Sequence, residues 1–431
     1  MHNKIINALA LTGIFALVGC SDSSSDPTDL LGNLDNPEIS SNSEGEELPP
    51  AGEPDISSSE TSTLPGESSP SGENTLPEGL SSATGENTEP ENTTSSDSGS
   101  QQVTSSESAQ EQTYAFGYAL GNAPRKSKGC GKDPVLKGTE WYQCQKKTSD
   151  AWPNADVDCS AQLFSINVNG EKRVFYVTFP DNYDKNKPYK LLFANHCMGS
   201  DANHMATWVS ADRDHLSPYY AQKAQDKEGN YIFVSPEGNT DGMPWSMFSD
   251  KDHRFFSDML TYLEDNYCID TTRVFATGFS FGAMFTNSLS WEFQSRIRAV
   301  AVYATAIFNI YLPKDGVDRS HAPIAWMGVH GKQDGTCPYL TNDRGPGARD
   351  GALVEILKNN SAEGKKAEEE VPEEFNGWGN GHVCYDFKDV DPRFPVKWCS
   401  HNGDHQWSAT DDGDHSHSWV PQTVHEFFEQ F

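Results

Sequence analysis

Short apolar runs alternate with amphipathic segments through residues 113–431. Runs such as YKLLFANH (189–196) and AVAVYATA (299–306) contain few polar positions, which is typical of strands buried on both faces. Other segments, such as Phe255–Tyr267, place their apolar residues at helical spacing. Buried strands that alternate with helices predict an α/β fold, in which helices cover both faces of a mostly parallel sheet.

The predicted elements follow from these two patterns. The strands are predicted at 173–180, 189–196, 231–238, 273–278, 299–306 and 323–331. The helices are predicted at Phe255–Tyr267, Met284–Phe293, 351–360 and 420–431. A region of this length is sufficient for one large domain with a substantial core, so residues 113–431 are interpreted as a single domain.

Residues 1–20 have the pattern of an export signal. Lys4 precedes an apolar stretch that is short for a membrane span, and small residues precede Cys20. The string LVGC (17–20) resembles the lipobox of bacterial lipoproteins, which implies that Cys20 becomes the lipidated first residue of the mature chain. A secretory signal cut elsewhere is the alternative. Both interpretations predict an exported protein, either a lipoprotein of the bacterial cell surface or outer membrane or an extracellular protein.

Residues 21–112 are rich in Ser, Thr, Pro, Gly, Asn and Glu, with 20 acidic side chains and no Lys or Arg. Such a segment cannot bury enough apolar surface to offset its chain entropy, so a disordered acidic linker is predicted. The predicted domain has 43 acidic and 31 basic side chains, and its net charge is therefore about −12 rather than the −31 of the whole chain. Because it has no basic stripe, nucleic acid is not expected as a partner.

The predicted domain contains eight cysteines. An even number in an exported domain indicates a disulfide-stabilised fold with up to four bridges. No C-x-x-C pair or histidine spacing typical of a metal site is present, so neither a metal nor a cofactor is expected. The eight are Cys130, Cys144, Cys159, Cys197, Cys268, Cys337, Cys384 and Cys399.

Ser280 lies between two glycines in VFATGFSFGAM (274–284), directly after a predicted strand and before a predicted helix. The pattern G-x-S-x-G in this context is typical of a sharp turn that exposes a nucleophilic serine. An ordinary glycine-rich turn is the alternative. The sequence therefore indicates Ser280 as a nucleophile, with the backbone N–H of Phe281 directed toward the same space.

A serine nucleophile needs a base and an acid, which in this fold follow it in the order acid, then histidine. Asp334 follows a buried strand and is the predicted acid, with Asp343 and Asp350 as weaker candidates. His330 in the same loop is interpreted as bound to loop backbone. His405 is the predicted base because it follows a Gly-Asp turn and leaves room for one final helix. His401, His415 and His417 remain alternatives that only geometry separates.

The loop after strand 189–196 is predicted to supply the second oxyanion donor, from the backbone N–H of Met198 or of Cys197. Trp208, Trp245 and Trp407 are candidates to stack on an aryl acid or a sugar, and core packing is an equal alternative.

Four motifs in order, NHCMGS, CIDTTRVFATGFSFGAMFTNSLSW, HGKQDGTCPY and CSHNGDHQW, resemble the secreted esterases of carbohydrate esterase family 1. GCGK at 129–132 is most similar to the start of type-D feruloyl esterases. The resemblance spans residues 125–431 and implies an α/β-hydrolase with a Ser280–Asp334–His405 triad. The chain departs from the family pattern at Cys197 and Ala283, where glycine is usual, and at Asp404 before the histidine.

The resemblance implies a serine carboxylic-ester hydrolase acting on plant cell-wall polysaccharide, with release of ferulate from arabinoxylan as the leading expectation. Acetylxylan esterase and polyhydroxyalkanoate depolymerase are the enzymatic alternatives. A surface carbohydrate-binding protein that kept the fold without turnover is the alternative from another class. A monomer held at a membrane by its lipid anchor is expected.

Overall fold

The computed structural model describes residues 124–144, 155–210, 218–238, 243–307, 311, 323–343, 345–367, 371–412 and 417–431. The predicted signal (1–20), the lipidation site Cys20, the linker (21–112) and the candidate base His415 lie outside the described residues. Across the described ranges, no helix is both long and apolar enough to cross a membrane.

A nine-stranded sheet forms the centre of the domain, in the order β10-β11-β9-β8-β7-β4-β6-β3-β2. The six strands from β11 to β6 run parallel, whereas β2, β3 and β10 pair antiparallel. The predicted α/β-hydrolase fold, with its mostly parallel sheet, is confirmed. The strands are β2 Gln162–Val168, β3 Glu171–Thr178, β4 Tyr189–Asn195, β6 Tyr231–Pro236, β7 Ile269–Phe279, β8 Ala299–Tyr303, β9 Ala325–Gly331, β10 His382–Asp386 and β11 Val396–His401.

Two further strands, β1 Ala155–Val157 and β5 Trp208–Ser210, form a separate antiparallel pair. The helices are α1 Ala202–Thr207, α2 Gln222–Gln225, α3 Lys251–Asn266, α4 Phe281–Leu289, α5 Val354–Asn360 and α6 Val420–Glu429, and a π-helical turn, Ala348–Leu353, precedes α5.

Helices cover both faces of the sheet, because each buried strand directs alternate side chains to opposite faces. In β7, Val274 belongs to the same apolar cluster as α3 and α4, whereas Phe275 belongs to a second cluster with α6. Because six neighbouring strands run parallel, their carboxyl ends meet at one edge of the sheet, where ligands bind in folds of this class.

Three disulfides join described residues: Cys130–Cys268, Cys144–Cys159 and Cys384–Cys399. The last one links the paired strands β10 and β11 across their register. The predicted disulfide stabilisation is confirmed.

Candidate active site

Ser280 occupies the turn between β7 and α4 in a conformation that L-residues rarely adopt, with φ 56° and ψ −121°. Its N–H donates to the carbonyl O of Tyr303 at 3.0 Å, which holds the turn against the neighbouring strand. Both flanking glycines are sterically required. A Cβ on Gly278 would collide with the backbone carbonyl of Gly282, and one on Gly282 would collide with the carbonyls of Asn195 and His196.

A continuous hydrogen-bond chain joins Ser280, His405 and Asp334. His405 Nε2 lies 2.8 Å from Ser280 Oγ, and His405 Nδ1 lies 2.8 Å from Asp334 Oδ2. The three residues come from loops after β7, β11 and β9, so the carboxyl ends of three parallel strands bring them together. This geometry suits an imidazole that acts as a general base: Nε2 can take the proton of Ser280, and Nδ1 is held by the acid.

Two of the competing histidines have other environments. His401 Nδ1 accepts from the N–H of Gly403 at 3.1 Å, and its ring is buried at the end of β11. His417 is exposed, and His415 lies outside the described residues. Of the described histidines, His405 is the one hydrogen-bonded to Ser280.

Asp334 is buried, and loop backbone fixes one of its carboxylate oxygens. Oδ1 accepts from the N–H of Thr336 at 2.8 Å and from that of Cys337 at 2.7 Å. Burial raises the pKa of Asp334, but hydrogen bonds from His330 and His405 outweigh it and hold the pKa below its ordinary value. The carboxylate is therefore charged throughout the neutral range.

His330 contacts the same carboxylate oxygen of Asp334 as His405 does. Its Nε2 donates to the carbonyl O of Cys337 at 2.9 Å and lies 3.2 Å from Asp334 Oδ2. The ring is fully buried and stacks on Trp398 at an angle of 16°. This contact with loop backbone matches the interpretation of His330 as a structural residue.

The loop after β4 lies beside Ser280 because Asn195 pairs with Gly278 in the parallel register. His196 fixes this loop: Nδ1 donates to the carbonyl O of Cys197, and Nε2 accepts from the N–H of Gly238, both at 3.0 Å. Burial lowers the pKa of His196, which keeps the ring neutral, as these two bonds require. Cys197 and Met198 thus follow a fixed residue next to the serine turn.

Phe281 is the first residue of α4, where no carbonyl of the helix is available to its N–H. The start of α4 packs against the carbonyls of Asn195 and His196, so the predicted donors Phe281, Cys197 and Met198 share one edge of the sheet.

The three predicted stacking tryptophans have different environments. Trp245 is fully buried, stacks on Phe285 at a centroid distance of 4.1 Å and donates Nε1 to the carbonyl O of His196 at 2.9 Å. It has no exposed face for a substrate, so of the two alternatives core packing describes Trp245. Trp407 is buried against Tyr220, whereas Trp208 is half-buried at the end of α1.

Tyr220 contacts the serine turn, although the sequence reasoning did not identify it. Its hydroxyl donates to the carbonyl O of Asn195 at 2.7 Å and accepts from the N–H of Phe279 at 3.1 Å. One side chain thus ties the residue before His196 to the residue before Ser280. Tyr220 lies in a left-handed turn of three successive non-glycine residues, with φ of 59°, 54° and 59° at Tyr219, Tyr220 and Ala221.

Replacing Tyr220 with phenylalanine is expected to lower kcat on an aryl ester by about 10- to 100-fold, because small displacements of reacting groups have effects of this size. Tyr219→Phe is the matched control: Tyr219 is equally buried, and its hydroxyl bonds Thr178 at 2.7 Å, away from Ser280. Both variants should lose stability on urea unfolding, and only Tyr220→Phe should lose kcat. Equal kcat in the two variants would show that the Tyr220 hydroxyl does not position the site.

Comparison with known proteins identifies relatives over most of the domain. No family profile matches the chain. Feruloyl esterase D of Neurospora crassa is 29% identical over 309 residues, 72% of this chain and 92% of the relative. A protein named "Probable feruloyl esterase C" from Aspergillus terreus is 30% identical over 226 residues, 52% of this chain and 68% of the relative. Feruloyl esterase C of Emericella nidulans is 28% identical over 73% of this chain and 95% of its own length.

Solved structures of esterases are also similar. An acetyl xylan esterase from Aspergillus awamori has a TM-score of 0.42 at 14% identity and covers 63% of this chain and 100% of its own. A ferulic acid esterase from Anaeromyces mucronatus has a TM-score of 0.32 at 18% identity, covering 45% of this chain and 78% of its own. The sequence similarity to these relatives shows that the chain belongs to the feruloyl esterase family and is a carboxylic ester hydrolase.

Proposed function

We propose that the chain is a serine esterase that releases ferulate from plant cell-wall polysaccharide, with Ser280 as nucleophile, His405 as base and Asp334 as acid. The observation that carries the proposal is the unbroken chain of two 2.8 Å hydrogen bonds from Ser280 through His405 to Asp334. A strained turn, φ 56° at Ser280, supports it, because strained backbone is concentrated at functional sites.

In the first half of the reaction, Ser280 Oγ bonds to the ester carbonyl carbon while His405 Nε2 takes its proton. The carbonyl electron pair moves onto oxygen, and the negative charge is accepted by the backbone N–H groups of Phe281 and of Met198 or Cys197. Collapse of this intermediate breaks the bond to the sugar oxygen, which receives the proton from His405. An acyl-Ser280 ester remains.

In the second half, His405 takes a proton from water, and the resulting hydroxide oxygen bonds to the acyl carbon. The bond to Ser280 breaks, Oγ recovers its proton from His405, and the free acid leaves. The Asp334 carboxylate stabilises the imidazolium in both halves. Its low pKa keeps it charged while His405 gains and loses its proton.

The acyl group is proposed to be ferulate because the relatives that match most of the domain are named feruloyl esterases. Acetate is the second candidate. A bifunctional acetylxylan esterase/xylanase from Neocallimastix patriciarum is 29% identical over 170 residues, 39% of this chain and 22% of that protein.

Methyl ferulate and methyl acetate separate the two acyl groups. The wild-type enzyme is expected to hydrolyse methyl ferulate with a kcat/KM at least about tenfold above that of methyl acetate, since an aryl acyl group buries more apolar surface in its pocket. Ferulate release is followed by liquid chromatography, and p-nitrophenyl acetate reports whether the serine is competent at all. Hydrolysis of acetyl esters alone would reassign the enzyme to acetylxylan.

We further propose that the enzyme is exported and held at the cell surface through a lipid on Cys20, with arabinoxylan as its extracellular substrate. The three disulfides support an oxidising compartment, because such bonds rarely persist in a reducing cytosol. The LVGC string at 17–20 supports the lipid anchor, and the acidic segment 21–112 would give the domain reach from the membrane.

A further inference from the structure

Trp378 is 99% exposed, more than any other large apolar side chain among the described residues. It lies in the loop 375–381, which precedes β10. The loop folds over the ring of Phe375: a Cβ on Gly377 or on Gly381 would overlap that ring, and Gly379 has φ 81°. The aromatic ring of Phe375 thus faces the loop interior, while the indole of Trp378 is held outside it.

The Trp378 loop is bound to both loops that carry the proposed acid and base. Asn402 Nδ2 donates to the carbonyl O of Gly379 at 3.1 Å, and Gln333 Nε2 donates to Asn402 Oδ1 at 3.0 Å. Gln333 immediately precedes Asp334. Asn402 is three residues from His405, so the backbones of these two residues lie within about 11 Å of each other.

More bonds fix the base of the loop. The N–H of Phe375 donates to Ser400 Oγ at 2.8 Å, and Lys332 Nζ donates to Asn376 Oδ1 at 3.3 Å. On its other side, Asn380 Nδ2 donates to the carbonyl O of Asp412 at 2.6 Å. Trp378 is therefore presented at a defined place beside the active site rather than on a free tail.

We infer that Trp378 is a binding subsite for the polysaccharide part of the substrate. A sugar ring stacks on its indole, a few sugar units along the polysaccharide from the sugar that carries the ester. This inference rests on the proposed function, which places a polysaccharide ester at Ser280. A sugar ring has an apolar face of C–H groups that matches an exposed indole. Trp245 and Trp407, which are buried, offer no such surface.

The chain supplies a matched control in Trp141, which is 84% exposed. Its neighbour Glu140 bonds Leu163 of β2, so Trp141 lies along the opposite edge strand from β10. Eight inter-strand spacings separate these edges, a distance of about 38 Å. Trp141→Ala therefore removes another highly exposed indole without changing the surface near His405.

The first experiment measures binding without hydrolysis. In the Ser280→Ala background, Trp378→Ala is expected to weaken retention on de-esterified arabinoxylan in affinity electrophoresis by about tenfold, the usual effect of losing an aromatic anchor. Trp378→Tyr should retain most of the binding, and Trp141→Ala all of it. Equal retention of the Trp378→Ala and Trp141→Ala proteins overturns the subsite.

The second experiment measures kinetics in the otherwise unchanged enzyme. Trp378→Ala should raise KM about tenfold on feruloylated arabinoxylan and leave kcat and KM on methyl ferulate unchanged. An equal loss on both substrates would mean that Trp378 supports the catalytic loops, which overturns the inference. A wild-type enzyme that does not hydrolyse methyl ferulate contradicts the proposed function instead, and the binding experiment still decides the subsite.

Discussion

Replacing Ser280 with alanine is expected to lower kcat on methyl ferulate by about 10⁶-fold, the usual effect of removing the nucleophile of a serine hydrolase. The variant should remain folded. The Ser280 side chain caps no backbone N–H of α4. Alanine, like serine, is an L-residue with a Cβ, so the substitution adds no new steric conflict with the backbone conformation of the turn. Single-turnover kinetics and thermal unfolding together separate loss of chemistry from loss of fold.

Ser288 provides a matched control for this experiment. Its Oγ lies 2.5 Å from His253 Nε2, and His253 Nδ1 contacts Glu292, so the same kinds of side chain form a second Ser–His–acid chain. Ser288 is fully buried, and its Oγ also donates to the carbonyl O of Tyr311 at 2.5 Å, so no ester can reach it. Ser288→Ala should lower stability and leave kcat unchanged. Retained activity in Ser280→Ala would contradict the nucleophile assignment.

The parts of the fold that could be predicted are those specified by local pattern. The strands β4, β6 and β8 are continuous apolar runs because helices bury both of their faces, and their predicted positions agree with the structure to within a few residues. α3 was predicted to begin at Phe255 and begins at Lys251, because its first turn is polar. Asp252 there accepts from Arg173 at 2.9 Å and from the N–H of Ser246, partners that no local pattern reveals.

The order of the candidate site residues along the chain could be predicted from the sequence, but the distances between their side chains could not. The rule that the acid precedes the histidine favoured Asp334. His405 was favoured by the Gly-Asp turn before it, while His401, His415 and His417 remained alternatives that only geometry separates. Tyr220 was missed because its partners, Asn195 and Phe279, are 25 and 59 residues away, and because three successive left-handed residues without glycine have no sequence signature. The burial of Trp245 depends on Phe285 and His196, which the fold brings to it.

Replacing Asp334 with asparagine is expected to lower kcat on methyl ferulate by about 10⁴-fold while the loop keeps its shape. The amide oxygen can still accept from the N–H groups of Thr336 and Cys337, as Asp334 Oδ1 does. The amide NH₂ then faces His405 Nδ1, which must become an acceptor, so the ring proton moves to Nε2. An Nε2 that already bears a proton cannot take one from Ser280. Steady-state kinetics at pH 7 measures this loss.

Asp350→Asn is the control for Asp334→Asn, because Asp350 is an exposed carboxylate that accepts from the N–H of Thr341 at 2.9 Å. It should leave kcat unchanged, and a loss equal to that of Asp334→Asn would contradict the assignment of the acid.

The same Asp334→Asn variant has an expected signature in stability against pH. The pKa of Asp334 is lower in the folded protein than its ordinary value of 3.8. The charged carboxylate therefore contributes stability that is fully present above the unfolded pKa and is lost as pH falls toward the folded one. The difference in unfolding free energy between wild type and Asp334→Asn, measured in urea, should thus be largest at pH 6 to 7 and shrink below about pH 4. A difference that stays constant down to pH 2.5 would mean that the hydrogen bonds from His330 and His405 do not favour the ionised carboxylate, and that the acid is not held ready to stabilise a protonated His405.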